Sequence, residues 1–354
     1  MSGSSDGGER TLIAHTIAPL LAQAGHTLTY WPLTVPRPFI PGGMADVLYP
    51  PRGRGLTARI QFLGQLRRGL RLFDAILVEQ DLAAEFAVAE VVLAARNRPL
   101  LYLLAHYPLG SYLAGRGEHN IHRERRLAER LLPRFDHVIV LAPSVGTDLH
   151  ERFGVPEERI HSLYWPAPKG PAARPGPGPA IAVVGHITRM KGVDVLLHTM
   201  HGVGLVGESQ RGLELHVFGD GDAVDAARDE GRRLGIRLAF HPLTDHITQD
   251  LADTVNLFYG PQWMDGTAFD YVAAAAAGLP LLGLQAPTAP ADILVSGTMG
   301  RLAGLGEAAA SGAHLKEFMT DPRLYQGFQQ AAGFVYGRHR PERVAPDWTA
   351  LFAP

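Results

Sequence analysis

The 354-residue sequence contains no cysteine. This absence excludes a disulfide framework, a thiolate-bound metal and a cysteine nucleophile. An excess of one charge is also missing, because 33 Lys and Arg residues nearly balance 35 Asp and Glu residues and leave a formal net charge of −2. No global electric field therefore recruits nucleic acid, and we expect no nucleic-acid partner.

Long apolar runs are absent as well. No uninterrupted apolar stretch reaches the roughly 20 residues that a membrane-spanning helix needs. The opening MSGSSDGGERT has no basic region followed by an apolar core, so it does not resemble a secretion signal. We therefore expect a cytoplasmic protein, with contact at the inner membrane face as the one form of membrane association to consider.

The sequence does contain a repeated alternation of strand-like and helix-like segments. Apolar runs typical of buried strands, such as DAILVEQ, PLLYLLAH, HVIVLAP, AIAVVG and LELHVFG, are each followed by a helical pattern. Such alternation predicts the α/β class, with parallel sheets covered by helices on both faces. The length suits two domains of roughly 150 residues each.

The Pro- and Gly-rich stretch PAPKGPAARPGPGP interrupts this alternation at residues 166–179. We interpret it as a linker between an N-terminal domain, residues 1–165, and a C-terminal domain, residues 180–338. One feature of the N-terminal domain is unusual. A doubly wound domain normally opens with an apolar strand, but here only a polar Gly-rich loop precedes the first helical pattern.

An arginine-rich segment, residues 52–71, lies between Asp46 and Asp74 and contains no acidic residue. Its six arginines are Arg52, Arg54, Arg59, Arg67, Arg68 and Arg71. Apolar residues interleave with them at roughly helical spacing. The pattern leaves two interpretations open: a solvated helix face beside a cleft, or a basic amphipathic helix that contacts an anionic membrane or acceptor.

Two segments predict anion sites. In PQWMDGTAFDYVAAAAAGLP, residues 261–280, a polar turn joins a strand to a helix, and the N–H groups and dipole at such a helix start favour phosphate. In VGHITRMKG, Lys191 provides a point charge near a second helix start, and Arg189 or His186 provides a further donor, which suits a diphosphate. A buried helix and a solvated turn are the respective alternatives.

The spacing of Asp220 and Asp222 in HVFGDGD is also that of a metal-binding carboxylate pair. They occupy a Gly-rich turn between a strand and a helix, and we expect them to cap that helix instead.

Five blocks together resemble, in order, the retaining GT-B glycosyltransferases of the family four type. They are GGERTLIAHTIAPLLAQAGHTLTYWPL, VIVLAPSVGTDLHERFGVPEERIHSLYWPAP, GHITRMKGVDVLLHTM, LELHVFGDGD and NLFYGPQWMDGTAFDYVAAAAAGLPLL. The resemblance implies two Rossmann-like doubly wound parallel-sheet domains facing a cleft, and a terminal helix at 339–354 that returns to the N-terminal domain. It also implies a nucleotide-sugar donor, UDP- or GDP-linked, with no cofactor and no metal.

The resemblance further implies roles for individual residues. Catalytic roles fall on His106, Lys191 and Asp265, with packing as an alternative role for His106. Acceptor binding falls on Glu9. Donor binding falls on Gly7, Gly8, Gly185, His186, Arg189, Lys191, Gly219, Asp265, Gly266, Thr267, Ala268 and Asp270.

Three positions depart from the family pattern. His186 replaces the arginine that grips the diphosphate in relatives, Asp265 replaces the first glutamate of the family pair, and Ala273 replaces the second, which holds the ribose. Alanine accepts no hydrogen bond, and helix geometry points the carboxylate of Asp270 in another direction.

The expected function is sugar transfer with retention of configuration. The alternatives are a catalytically impaired relative serving as a partner or scaffold, and an enzyme with a non-standard donor or acceptor such as a sugar phosphate.

Overall fold

The computed structural model describes residues 9–30, 46–47, 56–80, 82–114, 121–170, 176, 178–205, 214–244, 246–264, 266–285, 289–294, 297–304 and 306–353. The helices are α1 Glu9–Gln23, α2 Leu56–Gly69, α3 Leu82–Leu93, α4 Leu109–Ala114, α5 Ile121–Leu131, α6 Pro143–Phe153, α7 Val193–Gly202, α8 Val224–Leu234, α9 Ile247–Thr254, α10 Phe269–Ala276, α11 Ala289–Ile293, α12 Ala308–Thr320, α13 Pro322–Arg338 and α14 Pro341–Leu351. The strands are β1 Thr29–Tyr30, β2 Asp46–Val47, β3 Ala75–Glu79, β4 Leu100–Ala105, β5 His137–Val140, β6 Ile160–Ser162, β7 Ala180–Val184, β8 Glu214–Phe218, β9 Arg237–His241, β10 Leu257–Gly260, β11 Leu281–Gln285 and β12 Arg301–Gly304.

The N-terminal half contains a parallel sheet in the order β3-β4-β5-β6, and β1 pairs with β2 in a separate parallel pair. Among the described residues no strand precedes α1, and the Gly-rich segment 1–8 lies outside them. Strand β4 is buried along almost its whole length, which explains the continuous apolar run LLYLLA.

The C-terminal half contains six parallel strands in the order β12-β11-β10-β7-β8-β9. The chain winds outward from β7 in both directions, so the strand order reverses between β7 and β10, which are paired neighbours. In open sheets of this kind, ligands bind in the crevice outside the carboxyl ends of the strands at this switch point. The topology therefore locates a binding crevice before any side chain is considered.

Strand β7 shows why this sheet is apolar on both faces. Ile181 and Val183 pack into one apolar cluster, with α7 and α12, whereas Ala182 and Val184 pack into the other. Alternate residues of a strand point to opposite faces, so a sheet covered on both sides needs apolar residues at every position.

The last helix, α14, packs against α1 and against the N-terminal sheet. The indole N–H of Trp348, a fully buried side chain, donates to the carbonyl of Tyr164 at 2.7 Å, and the Tyr102 hydroxyl donates to the carbonyl of Leu351 at 3.2 Å. The chain therefore returns to its N-terminal half at its end.

Three short elements were not predicted from the sequence: α4, α11 and β12. Each spans only four to six residues, too few for a periodic pattern to be recognised. Within the part of the chain that the structure describes, no helix combines the length and apolar character required to cross a membrane.

Candidate functional site

Two glycines bring the loops after β7 and β8 together. Gly185 and Gly219 follow these paired strands and have φ angles of 123° and 144°. A Cβ atom on Gly219 would lie 1.9 Å from the carbonyl oxygen of Gly185, so only glycine fits there. Both predicted donor-binding glycines therefore shape one side of the crevice.

Lys191 enters the crevice from a 3₁₀ turn, Arg189–Lys191, that separates β7 from α7. Gly192 ends this turn at φ 72°, and a Cβ atom on it would lie 2.5 Å from the carbonyl oxygen of Pro261, just after β10. This close approach holds the turn against the neighbouring loop. Lys191 is 7% exposed, so its ammonium group lies inside the protein.

Asp270, in the first turn of α10, is the partner of Lys191. Its Oδ2 accepts hydrogen bonds from Lys191 Nζ at 2.7 Å and from Gln262 Nε2 at 2.8 Å, while its Oδ1 accepts from the Tyr271 N–H at 2.8 Å. The side chain of Asp270 is 0% exposed. Its carboxylate therefore belongs to a buried network that connects the Lys191 turn, Gln262 and α10.

The turn before α10 faces the N-terminal half across the crevice. Gly266 packs so closely there that an added Cβ would lie 2.2 Å from the carbonyl oxygen of His106 and 2.5 Å from the Cα atom of Tyr107. Thr267 and Ala268 are buried, and Ala268 adopts a left-handed conformation at φ 45° as the N-cap of α10. Left-handed backbone at a non-glycine residue is costly and often marks a functional turn.

His106 follows the carboxyl end of β4 and is 6% exposed. Its Nε2 lies 3.9 Å from a carboxylate oxygen of Glu79, at the end of the neighbouring strand β3. The side-chain oxygen of Gln80 accepts the backbone N–H of His106 at 2.8 Å and that of Tyr107 at 3.1 Å. Glu79 and Gln80 were not predicted, although two polar residues directly after an apolar strand are a recognisable signal.

A second buried side chain fixes the far end of the same loop. Asp148, on α6, accepts the backbone N–H of Gly110 at 2.7 Å, where α4 begins. Burial raises the pKa of the Asp148 carboxyl above its usual value, although this hydrogen bond and the nearby Arg152 oppose the shift. The loop that carries His106 is therefore held from β3 and from α6.

The His186 ring cannot donate hydrogen bonds to a phosphate as the arginine of the family pattern does. Its Nδ1 lies 2.9 Å from the carbonyl oxygen of Asp220, so this nitrogen must be the donor. A neutral imidazole has only one N–H, so Nε2 is then an acceptor and offers nothing to a phosphate. Arg189 is exposed at the rim of the crevice and provides a charged fork that His186 lacks.

The prediction that Asp220 and Asp222 cap a helix is wrong. The N-cap of α8 is Ala223, and no side chain caps it. The carboxylate of Asp220 instead accepts the N–H of Gly221 at 2.7 Å, within the Gly-rich turn. The turn needs this local bond because Gly221 packs directly against the carbonyl group of Ile187.

The remaining predicted residues fall into two groups. Gly7, Gly8 and Asp265 lie outside the described residues, and Glu9 is the first residue of α1. Ala273 is fully buried within α10 and offers no polar atom beyond its backbone. The structure thus places Gly266 against His106, and it places Lys191 against Asp270 in the helix that follows the Gly266 turn.

Comparison with known proteins agrees with this architecture. Residues 7–167 match the profile of Glycosyltransferase Family 4. Two solved structures superpose over nearly the whole chain. HepE from Anabaena, in complex with UDP and glucose, has a TM-score of 0.75 and 14% identity, covering 98% of this chain and 97% of its own. Sucrose-phosphate synthase from Thermosynechococcus elongatus has a TM-score of 0.75 and 16% identity, covering 99% and 95%.

Two further relatives are longer proteins. TarM from S. aureus has a TM-score of 0.69 at 13% identity, and the match covers 84% of this chain but 58% of TarM. An exopolysaccharide phosphotransferase of Streptomyces coelicolor is 25% identical over 294 residues, and the chain spans only 29% of its length. These comparisons confirm the predicted GT-B fold and the resemblance to its glycosyltransferases.

Proposed function

We propose that this chain transfers a sugar from a nucleotide diphosphate sugar to an acceptor bound by its N-terminal half. The observation that carries the proposal is the packing of the Gly266 turn against His106, together with the bond from Lys191 to the helix that follows this turn, at the switch point of the C-terminal sheet. We also propose that the transfer retains the configuration of the sugar and needs no metal. The donor in this proposal is linked to UDP or GDP, and residues 166–179 divide the chain into its two domains.

The chemistry demands that negative charge be stabilised as the bond between the sugar and the diphosphate breaks. Lys191 and the backbone at the start of α10, Gly266 to Ala268, lie where such a leaving group would sit. Fixed donors of this kind lower the barrier because they need no reorganisation during the reaction. The fold of HepE, which was solved with UDP and glucose, supports this placement.

The sugar would lie between the two halves. In this proposal His106 stabilises positive charge on the reacting sugar, because it follows the carboxyl end of β4 and its backbone carbonyl packs against the Gly266 turn. In this proposal Asp265 orients the sugar hydroxyls, and Gly185 and Gly219 let the backbone approach the phosphates.

A second candidate is an enzyme of the same fold with a non-standard donor, such as a sugar phosphate. The buried Ala273 favours it, because no carboxylate at this position is available for ribose hydroxyls. The match to an exopolysaccharide phosphotransferase points in the same direction. If neither class of donor binds, the chain is instead a catalytically impaired relative that serves as a partner subunit.

A thermal-shift screen against UDP, GDP, ADP, dTDP and common sugar phosphates tests these alternatives. A ligand at 100 times its dissociation constant adds about 2.7 kcal/mol to the free energy of unfolding. Lys191→Ala should abolish the shift, measured from the variant's own unliganded melting temperature. Lys316→Ala, an exposed lysine on α12, is the matched control and should retain it.

The outcomes separate the candidates clearly. A Lys191-dependent shift with one nucleotide supports the transferase and identifies its donor class. A shift with sugar phosphates alone supports the second candidate. No shift with any ligand, from well-folded protein, rejects both enzymatic proposals.

A further inference from the structure

The outward face of α2 and of the 3₁₀ turn that follows it, Leu70–Leu72, has an unusual composition. Its inner side packs on the core through Leu66 and Leu70. The exposed residues of this segment, from Ile60 to Leu72, comprise two aliphatic residues, three arginines, two glutamines and one glycine, and none of them is acidic. They are Ile60, Gln61, Gly64, Gln65, Arg67, Arg68, Arg71 and Leu72. We name this surface the α2 face.

The aliphatic residues of the α2 face project into solvent. Ile60 is 62% exposed and Leu72 is 82% exposed. At about 1.5 Å of helical rise per residue they lie roughly 18 Å apart, with the arginines between or beside them. Single exposed aliphatic residues are ordinary on protein surfaces, but two on one outward arc with three cations form an amphipathic pattern.

Among the residues that the structure describes, the three arginines of the α2 face, Arg67, Arg68 and Arg71, have no ion-pair partner. The guanidinium group of Arg68 donates to the carbonyl of Gly64 at 3.2 Å. Helix α8 provides the contrast. There three arginines, the half-buried Arg228 and the exposed Arg232 and Arg233, are each paired with a carboxylate three residues earlier. Two helices similarly rich in arginine thus present opposite electrostatic surfaces.

We propose that the α2 face docks this protein on an anionic lipid bilayer. Guanidinium groups would neutralise lipid phosphates, and Ile60 and Leu72 would enter the headgroup region, where aliphatic side chains leave water. The cations and apolar residues of the α2 face are spread over roughly 18 Å, so a planar bilayer with many headgroups can contact all of them. A single small anion would contact only one end of the face. The Leu72 end of the face lies away from the crevice, because Leu72 is next to the amino end of β3 and the candidate site lies at the carboxyl ends.

Vesicle co-sedimentation of the purified chain tests this proposal without any sugar donor. Wild type should bind vesicles of phosphatidylglycerol and phosphatidylcholine, and binding should weaken as salt screens the charges. Vesicles of phosphatidylcholine alone should bind at least about tenfold more weakly. Equal binding to both vesicle types, or binding to neither, overturns the proposal.

Matched variants identify the surface. Arg67→Gln/Arg68→Gln/Arg71→Gln should weaken binding on the order of 100-fold at low salt, since each arginine near an anionic membrane contributes roughly one fivefold step. The triple replacement Arg228→Gln/Arg232→Gln/Arg233→Gln on α8 removes the same number of arginines and should leave vesicle binding unchanged. If the two triple variants behave alike, the α2 face is not the docking surface.

A third variant separates a bilayer from a soluble polyanion. Leu72→Ser should weaken vesicle binding by about tenfold and leave binding to heparin unchanged. If Leu72→Ser has no effect on vesicles while the α2 arginines still matter, the face binds soluble polyanions and the bilayer proposal is wrong. Melting temperatures near wild type will confirm that each variant is folded.

Discussion

The carboxylate of Asp270 lies 2.7 Å from the ammonium group of Lys191, although the two residues are 79 positions apart in the chain. Both groups are buried, at 0% and 7% exposure. A buried charge is tolerated only when it is paired and hydrogen-bonded, so each residue depends on the other. The pair joins the β7 turn to α10 across the switch point where we place the donor.

Asp270→Asn should therefore destabilise the fold strongly. Removing one partner leaves the Lys191 charge buried without compensation, which costs roughly 3–5 kcal/mol in the free energy of unfolding. Adding Lys191→Met to that variant should recover part of the loss, because no buried charge remains. Denaturant unfolding of the two single variants and the double variant measures this coupling. Purely additive losses would show that the two groups do not interact energetically.

Part of this site was accessible to sequence reasoning. A strand, a glycine and a lysine before a helix indicated the Lys191 turn, because those signals are contiguous in the chain. The pairing of Lys191 with Asp270 was not predictable, since it follows from the adjacency of β7 and β10, and adjacency is set by packing of the whole sheet.

Gln80 shows what the sequence alone could not predict. The strand that precedes it was predicted correctly, but its role depends on hydrogen bonds from two backbone N–H groups that lie 26 and 27 residues later in the chain. No local pattern encodes such a contact. The sequence therefore predicts the architecture and the glycine-rich loops well, and it predicts poorly the buried polar side chains that connect one loop to another.

Gln80→Leu should release the loop that carries His106. It leaves the buried N–H of His106 and the part-buried N–H of Tyr107 without this acceptor, and the loss at the buried group alone costs on the order of 1–3 kcal/mol. Gln80→Glu keeps an oxygen in the same place and is the conservative control. We expect the leucine variant to lose sugar transfer while retaining nucleotide binding, because we propose that the Lys191 turn and the start of α10, in the other half, bind the diphosphate. Equal activity of both variants would show that Gln80 does not position the loop.

Gly266→Ala should keep the two halves apart. The new Cβ would lie 2.2 Å from the His106 carbonyl oxygen, and a backbone group cannot swing away as a flexible side chain does. The halves must separate slightly to relieve the overlap. A displacement of this order at a reacting centre can cost about 100-fold in rate.

The turnover rate of the donor found in the ligand screen measures this loss. Gly327→Ala is the control, since a Cβ at that position meets no neighbouring atom. Undiminished turnover would mean that catalysis does not need this contact.

His186→Arg should strengthen diphosphate binding. The Nδ1–H of His186 donates its hydrogen bond to the Asp220 carbonyl, whereas a guanidinium group has five N–H donors and a permanent positive charge. A charged hydrogen bond contributes roughly 1.5–3 kcal/mol, so the dissociation constant should fall by about tenfold or more. Calorimetric titration of wild type and variant with the same nucleoside diphosphate measures the change. Unchanged affinity would place the phosphates out of reach of residue 186.

His339 should make the fold sensitive to acid. Burial lowers the pKa of its imidazole to about 4, Arg338 lowers it further, and the bond to the Trp165 carbonyl partly opposes them. Its Nε2 is buried and has no hydrogen-bond partner among the described residues, so protonation would bury an uncompensated charge. The unfolded chain binds this proton below a pH of about 6.5, but the folded chain binds it only near pH 4. The free energy of unfolding should therefore fall as the pH is lowered through this window, by on the order of 3 kcal/mol in total.

His339→Asn tests this prediction, because its side chain can still donate to the Trp165 carbonyl but cannot be protonated. The free energies of unfolding of the variant and of wild type should differ at neutral pH, and this difference should shrink towards pH 4. Chemical denaturation at several pH values checks this, with the exposed His201→Asn as a control. If His339→Asn follows the wild-type pH dependence throughout, another group is responsible for the acid sensitivity.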